Sequence, residues 1–131
     1  MRVLADTTAM VAARRRAATT RPLFDALEEL WICDVVRLEL LRGALNPRHM
    51  TAMRAELDGL RSAPIDEQVW RRAEEVYDGL ARLRGGRHRG VQPTDVLVAA
   101  AAETRDLPVL HDDAHFDLIA EVTGQEMLRL P

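Results

Sequence analysis

The sequence contains no lysine, and all 18 of its basic residues are arginine. P-loop phosphate binding, Schiff-base chemistry and the receiver sites of signalling proteins all rest on a lysine, so those assignments fall away. Arginine still binds phosphate bidentately wherever it lies. Cysteine is nearly absent as well. A lone Cys33 makes neither an internal disulfide nor a zinc knuckle, and it reads as a small buried hydrophobe. Long hydrophobic runs are missing: nothing approaches the ~20 apolar residues a membrane helix needs. The short apolar run from Met1 to Ala5 is interrupted by Asp6 before a secretory segment can form, so a cytoplasmic protein with no membrane association is expected. A strong charge of either sign is also lacking. With 18 basic and 21 acidic residues the net charge is -3, which gives no overall field to attract nucleic acid, and any RNA contact must be local.

What is present fits one compact domain over residues 1–131, with 47% hydrophobic and 30% charged residues. Arg2 to Ala5 reads as a short buried strand ending at Asp6. Thr7 or Thr8 then caps a helix through Ala9–Ala13. Arg21 to Leu30 carries Pro22 near its start and apolar residues at helical spacing, followed by a strand at Trp31–Cys33. Asp34 is the expected N-cap of a helix over Val35–Arg42, closed by Gly43 as a left-handed C-cap. Two amphipathic scaffold helices span Pro47–Leu60 and Asp66–Leu83, with Arg61–Ile65 as their connection. A glycine-rich basic loop covers Arg84–Gly90. The helix that starts near Pro93 is almost wholly small and apolar, as close packing on a sheet requires. Leu107–Leu110 is a strand with His111–Asp113 as its exit, Phe116–Ala120 a helix, and Glu126–Leu130 a last strand. This alternation predicts a central parallel sheet flanked by helices, a three-layer α/β/α arrangement whose ligand site lies outside the C-terminal strand ends.

Two strands deliver an acid to that edge, Asp6 and Asp113, while Glu39 and Asp95 each lie within the first turn or so of a helix. Carboxylates that converge repel one another unless a hard divalent cation neutralises them, and magnesium or manganese is the natural occupant. Such an ion binds phosphate oxygens and activates water, which suits phosphodiester hydrolysis. Other roles stand beside this one. Asp6 and Asp113 also read as ordinary strand-end or helix-capping aspartates, and Asp95 as a residue favouring its helix dipole. Glu39 lies between Leu38 and Leu40 and needs a partner, either a cation or Arg37 or Arg42. Asp112 and Asp117 are expected to face solvent. His111 and His115 have an i, i+4 spacing, but without a cysteine partner zinc is disfavoured, and each is expected to be a satisfied or exposed histidine.

Four blocks carry a resemblance: Val3-Leu4-Ala5-Asp6-Thr7-Thr8-Ala9, Leu38-Glu39-Leu40-Leu41-Arg42-Gly43, Pro93-Thr94-Asp95-Val96-Leu97, and Leu107 to Phe116 with His111-Asp112-Asp113. In this order they resemble the PIN domain, and most of all the VapC toxins of type II toxin–antitoxin pairs. The resemblance implies a magnesium- or manganese-dependent endoribonuclease acting on structured RNA such as tRNA or rRNA, a cognate antitoxin, and a homodimer, with a larger toxin–antitoxin assembly as an extension. It places Asp6, Glu39, Asp95 and Asp113 as the catalytic metal-site acids. Thr8 stands where a serine is more usual and is expected to hydrogen-bond a carboxylate or a metal-bound water. His115 departs from the pattern, since many relatives carry an acid there. A neutral imidazole would lower the site's charge and weaken binding of a second ion.

Arg84, Arg87 and Arg89 in the basic loop are candidate clamps for RNA phosphates, and Arg14-Arg15-Arg16 is a second patch; the plain alternative for each is a solvated surface. The competing functional reading is a non-catalytic RNA-binding inhibitor of translation acting by occupancy. A third makes apolar helix faces among residues 22–60 a groove for an antitoxin peptide, which is compatible with the first.

Overall fold

The computed structural model describes all of residues 1–131. Its centre is β1 (Arg2–Ala5), whose Val3, Leu4 and Ala5 are fully buried. A strand covered on both faces must be apolar where it is covered, and this one is from Val3 to Ala5, with Arg2 exposed at its start. The chain leaves β1 through α1 (Thr7–Arg15) and α2 (Ala17–Asp25), then forms β2 (Glu29–Cys33), α3 (Asp34–Arg42), α4 (Pro47–Asp58) and β3 (Arg61–Ala63). The remainder is α5 (Glu67–Arg82), a 3-10 turn (His88–Gly90), α6 (Pro93–Thr104), β4 (Val109–His111), α7 (His115–Thr123) and β5 (Met127–Arg129). The five strands lie in the order β3-β2-β1-β4-β5, and every pairing is parallel.

The alternation of side chains along β1 separates two cores. Val3 and Ala5 pack with Ala9, Ala12, Leu110 and the partly buried Leu23 and Phe24, under α1 and α2. Leu4 belongs to the larger core with Val36, Val76, Leu80, the α6 alanines and Phe116, under α3, α5, α6 and α7. This is the three-layer arrangement the sequence pattern predicts. Helix α6 lies in the middle of its layer with Val96 through Ala102 all buried, so its small residues serve close approach to both the sheet and α5. No helix is long and apolar enough to cross a membrane.

Several local expectations are corrected. The cap of α1 is Asp6 itself, whose carboxylate accepts from the Ala9 N–H, rather than Thr7 or Thr8. The helix expected over Arg21–Leu30 starts earlier, at Ala17, and stops at Asp25, with Pro22 in its interior. Glu29 and Leu30 are withdrawn into β2 because they pair with Arg2 and Val3. Asp34 is the first residue of α3 rather than its cap, and Gly43 ends that helix in a right-handed conformation with φ -79°. The connection at Arg61–Ala63 is an edge strand on β2. Only Ala63 of its three residues is buried, too short a segment for alternation to register.

Candidate metal centre

Parallel strands place their exits at one sheet edge, and β1 and β4 are neighbours, so Asp6 and the Asp112–Asp113 turn emerge side by side. Asp6 is 2% exposed. Its carboxylate accepts from the Ala9 N–H (2.9 Å) and from the Thr8 hydroxyl, which is 2.8 Å from both oxygens. Thr8 in turn accepts from the Asp112 N–H at 3.0 Å, so one hydroxyl joins the exits of the two strands. Burial pushes the Asp6 carboxyl up to about 6 against these hydrogen bonds, with a further push from Asp95.

Asp95 enters from the first turn of α6, directly after Pro93 at the helix start. Its side chain is 16% exposed and accepts no hydrogen bond; the nearest nitrogen is His115 Nδ1 at 3.5 Å. Its pKa is also raised to about 6, first by burial, then by Asp113, with Glu39 adding to the push and His115 opposing it. Glu39 reaches in from α3, and Thr7 donates its hydroxyl to Oε1 at 3.0 Å. The arginine partners considered from sequence are elsewhere: Arg37 pairs with Asp58 at 2.6 Å, and Arg42 makes no ion pair. Asp113 accepts the His115 N–H at 2.9 Å at the start of α7, whose N-cap is Ala114. Of the capping roles expected from sequence, that of Asp6 coexists with the convergence of the acids, and Asp113 is not the cap of its helix.

The tightest group is Asp95, Asp113 and His115, with one donor atom from each lying within 4.8 Å of the others. Asp6 and Glu39 lie outside this group, though their charges act on Asp95. One orphaned atom characterises the site, Nδ1 of His115, buried with no hydrogen-bond partner, and it lies 3.5 Å from the Asp95 carboxylate. A divalent cation engages both, so the residues present fit one.

Sequence reasoning missed three contributors. Thr7, expected only as a cap, orients Glu39; a hydroxyl pair directly after a strand-end aspartate is the signal for it in the sequence. His111 is fully buried in β4, stacked obliquely on Phe116 at 5.1 Å. Its Nδ1 accepts the Asp113 N–H at 3.2 Å while Nε2 has no partner, and burial lowers its pKa. Arg16 holds Asp112 at 2.9 Å, so Asp112 is only half solvent-facing, whereas Asp117 is exposed as expected. Arg14 and Arg15 are exposed, form no ion pair, and line a groove of about 500 Å³ that also contains Thr7 and Glu39. Its walls are Met10, Leu40, Met53, Leu57 and Leu60, from α1, α3, α4 and the turn after α4. Arg84, Arg87 and Arg89 are exposed on the connection to α6, which turns through Gly85 and Gly86 at positive φ.

The family model of the PIN domain matches residues 3–122. Ribonuclease VapC18 of Mycobacterium tuberculosis is 40% identical over 98 residues, covering 75% of this chain and 72% of that protein. The solved structure of DNA-bound VapBC from Salmonella typhimurium superimposes with a TM-score of 0.77 at 21% identity, covering 98% of both chains. VapBC-5 of Mycobacterium tuberculosis, described as a member of the VapBC family of toxin–antitoxin systems, gives 0.69 at 22% identity and the same coverage. With the acids at the strand exits and these matches across its length, the chain belongs to the PIN-domain family, in its VapC branch.

Proposed function

We propose that this protein is a divalent-metal-dependent endoribonuclease, using magnesium or manganese, and the toxin of a toxin–antitoxin pair. One observation carries the metal-dependent chemistry: Asp95 is a largely buried carboxylate that faces other acids, with His115 Nδ1 at 3.5 Å as its nearest nitrogen. Asp6, Glu39, Asp95 and Asp113 would hold the ion. When bound, it would neutralise the converging carboxylates, engage a phosphate oxygen and activate water for attack on phosphorus.

The chain's own residues set the conditions for that step. Thr8 and the Ala9 N–H fix the Asp6 carboxylate, Thr7 fixes Glu39, and the His115 N–H fixes Asp113, so three acids are oriented before any ligand arrives. Orientation by protein donors avoids reorganisation during the reaction. RNA phosphates away from the reacting one meet arginines from two segments: Arg14 and Arg15 beside Glu39, and Arg84, Arg87 and Arg89 on the connection to α6. RNA as substrate is supported by the ribonuclease to which the chain is 40% identical. An antitoxin partner is supported by the toxin–antitoxin system whose fold it shares. The groove walled by Met10, Leu40, Met53 and Leu57 suits an apolar helical segment of that partner, which would cover Arg14 and Arg15 and exclude RNA.

The test is cleavage of total tRNA and rRNA by purified protein with magnesium or manganese, with chelator, and with Asp95→Asn. Discrete fragments are expected only in the first condition. Tight RNA binding without cleavage under any condition would transfer the assignment to the occupancy inhibitor.

A further inference from the structure

His115 opens α7, and its two nitrogens near the acids behave differently. The backbone N–H makes a 2.9 Å hydrogen bond to Asp113 Oδ1. The ring Nδ1 turns back over the same carboxylate, 3.4 Å from that oxygen and 3.5 Å from Asp95 Oδ2. A proton on Nδ1 shared with either acid would draw the pair to about 2.7–2.9 Å, the length of a charge-assisted bond. Neither contact closes to that length, and Nδ1 is buried without any partner even though the ring as a whole is 41% exposed. Ligand bonds of about 2.1 Å hold adjacent donors roughly 3.0–3.5 Å apart, and both contacts of Nδ1 have that separation, while one donor atom from each of the three residues lies within 4.8 Å of the others.

Resting on the metal-dependent reading above, we propose that His115 Nδ1 is a direct metal ligand, making Asp95, Asp113 and His115 a one-nitrogen site that selects manganese over magnesium. Magnesium is a hard ion that prefers oxygen donors and retains its water. A nitrogen donor favours first-row transition ions over magnesium, and manganese is the one of these suited to a surround made mostly of carboxylates. A histidine rather than a third acid beside Asp95 and Asp113 therefore changes which ion is held, in addition to lowering the charge of the site.

Pulsed electron paramagnetic resonance of the full chain with one equivalent of manganese tests this without reference to cleavage. A nitrogen coupling of the size given by coordinated imidazole is expected, and it should vanish in His115→Asp. Calorimetric titration with each ion should show manganese binding on the order of tenfold or more tighter than magnesium, with that ratio falling by about tenfold in His115→Asp. Manganese bound with no nitrogen coupling, a coupling that persists in the variant, or an unchanged ion ratio would each overturn the assignment of His115 while leaving the metal-dependent reading in place. If wild type and Asp95→Asn alike fail to bind manganese, both fall together.

Discussion

A single hydroxyl illustrates how much of the site is decided at one residue. Thr8 donates to Asp6 and accepts from the Asp112 N–H, so removing it strands a buried carboxylate lone pair and a backbone donor together. A buried polar group left unpaired costs about 1–3 kcal/mol, and the two here share one hydroxyl. Thr8→Ala should therefore lose about 2 kcal/mol in urea unfolding, while Thr8→Ser, which keeps the oxygen, should lose less than about half of that. Equal losses in the two variants would place the stabilisation in the threonine methyl instead. The aspartates at this edge were legible because each follows a short apolar strand within a block that resembles the PIN domain; taken singly they read equally well as ordinary capping aspartates. His111 was less so. Its role depends on a ring nitrogen turned toward the Asp113 N–H inside a buried strand, and a histidine in an apolar run gives no indication of which nitrogen accepts.

At the scale of elements, what was legible followed burial. The apolar runs of β1 and β4 and the small-residue run of α6 were clear because both faces are covered, and the long amphipathic α5 because its buried residues Val69, Ala73, Val76 and Leu80 recur on one face. Elements fixed by pairing or by tertiary position were not legible: β3 exists because β2 offers an edge, and α2 runs through Pro22 after α1 ends at Arg15. Helix α5 also carries a hidden constraint. Gly79 lies where an added Cβ would collide with the Val122 side chain of α7. Alanine in an open helix is favoured over glycine by about 1 kcal/mol, but overpacking of a close contact costs about 1–3 kcal/mol. Gly79→Ala should thus destabilise the protein, and Val122→Ala in the same chain should relieve that loss; a Gly79→Ala protein with a raised unfolding midpoint would refute the contact. Helix α1 makes the corresponding functional prediction. Arg14 and Arg15 are free of ion pairs and line the groove with Glu39, while Arg16 is engaged with Asp112. Replacing the first two with alanine should weaken RNA binding at every sequence and reduce the slope of log affinity against log salt by about 1.4–1.8. An unchanged slope would remove α1 from the RNA path.

For the whole molecule, the consequence of gathering acids is that the metal-free fold opposes its own ionisation. Asp6 and Asp95 have folded pKa values raised to about 6 from an ordinary 3.8, chiefly by burial. For a group raised in the folded state, the contribution is fully present below the unfolded value and is lost as pH rises through the folded one. Metal-free protein should therefore lose stability from these two groups between pH about 4 and about 7. The lowered pKa of His111 acts in the opposite sense, so the net curve alone is not diagnostic. A difference measurement isolates Asp95. In chelator at pH 7.5, Asp95→Asn should be more stable than wild type by on the order of 1–3 kcal/mol, and the two should converge near pH 4, where the wild-type carboxyl is protonated. Adding manganese at about a thousand times its dissociation constant should stabilise wild type by about 4.1 kcal/mol and leave Asp95→Asn little changed. The order of the two proteins at pH 7.5 then reverses on adding metal, as a residue that destabilises the empty fold and holds the ion requires. A wild type that is the more stable protein with and without metal would make Asp95 a structural helix-start residue and remove it from the centre.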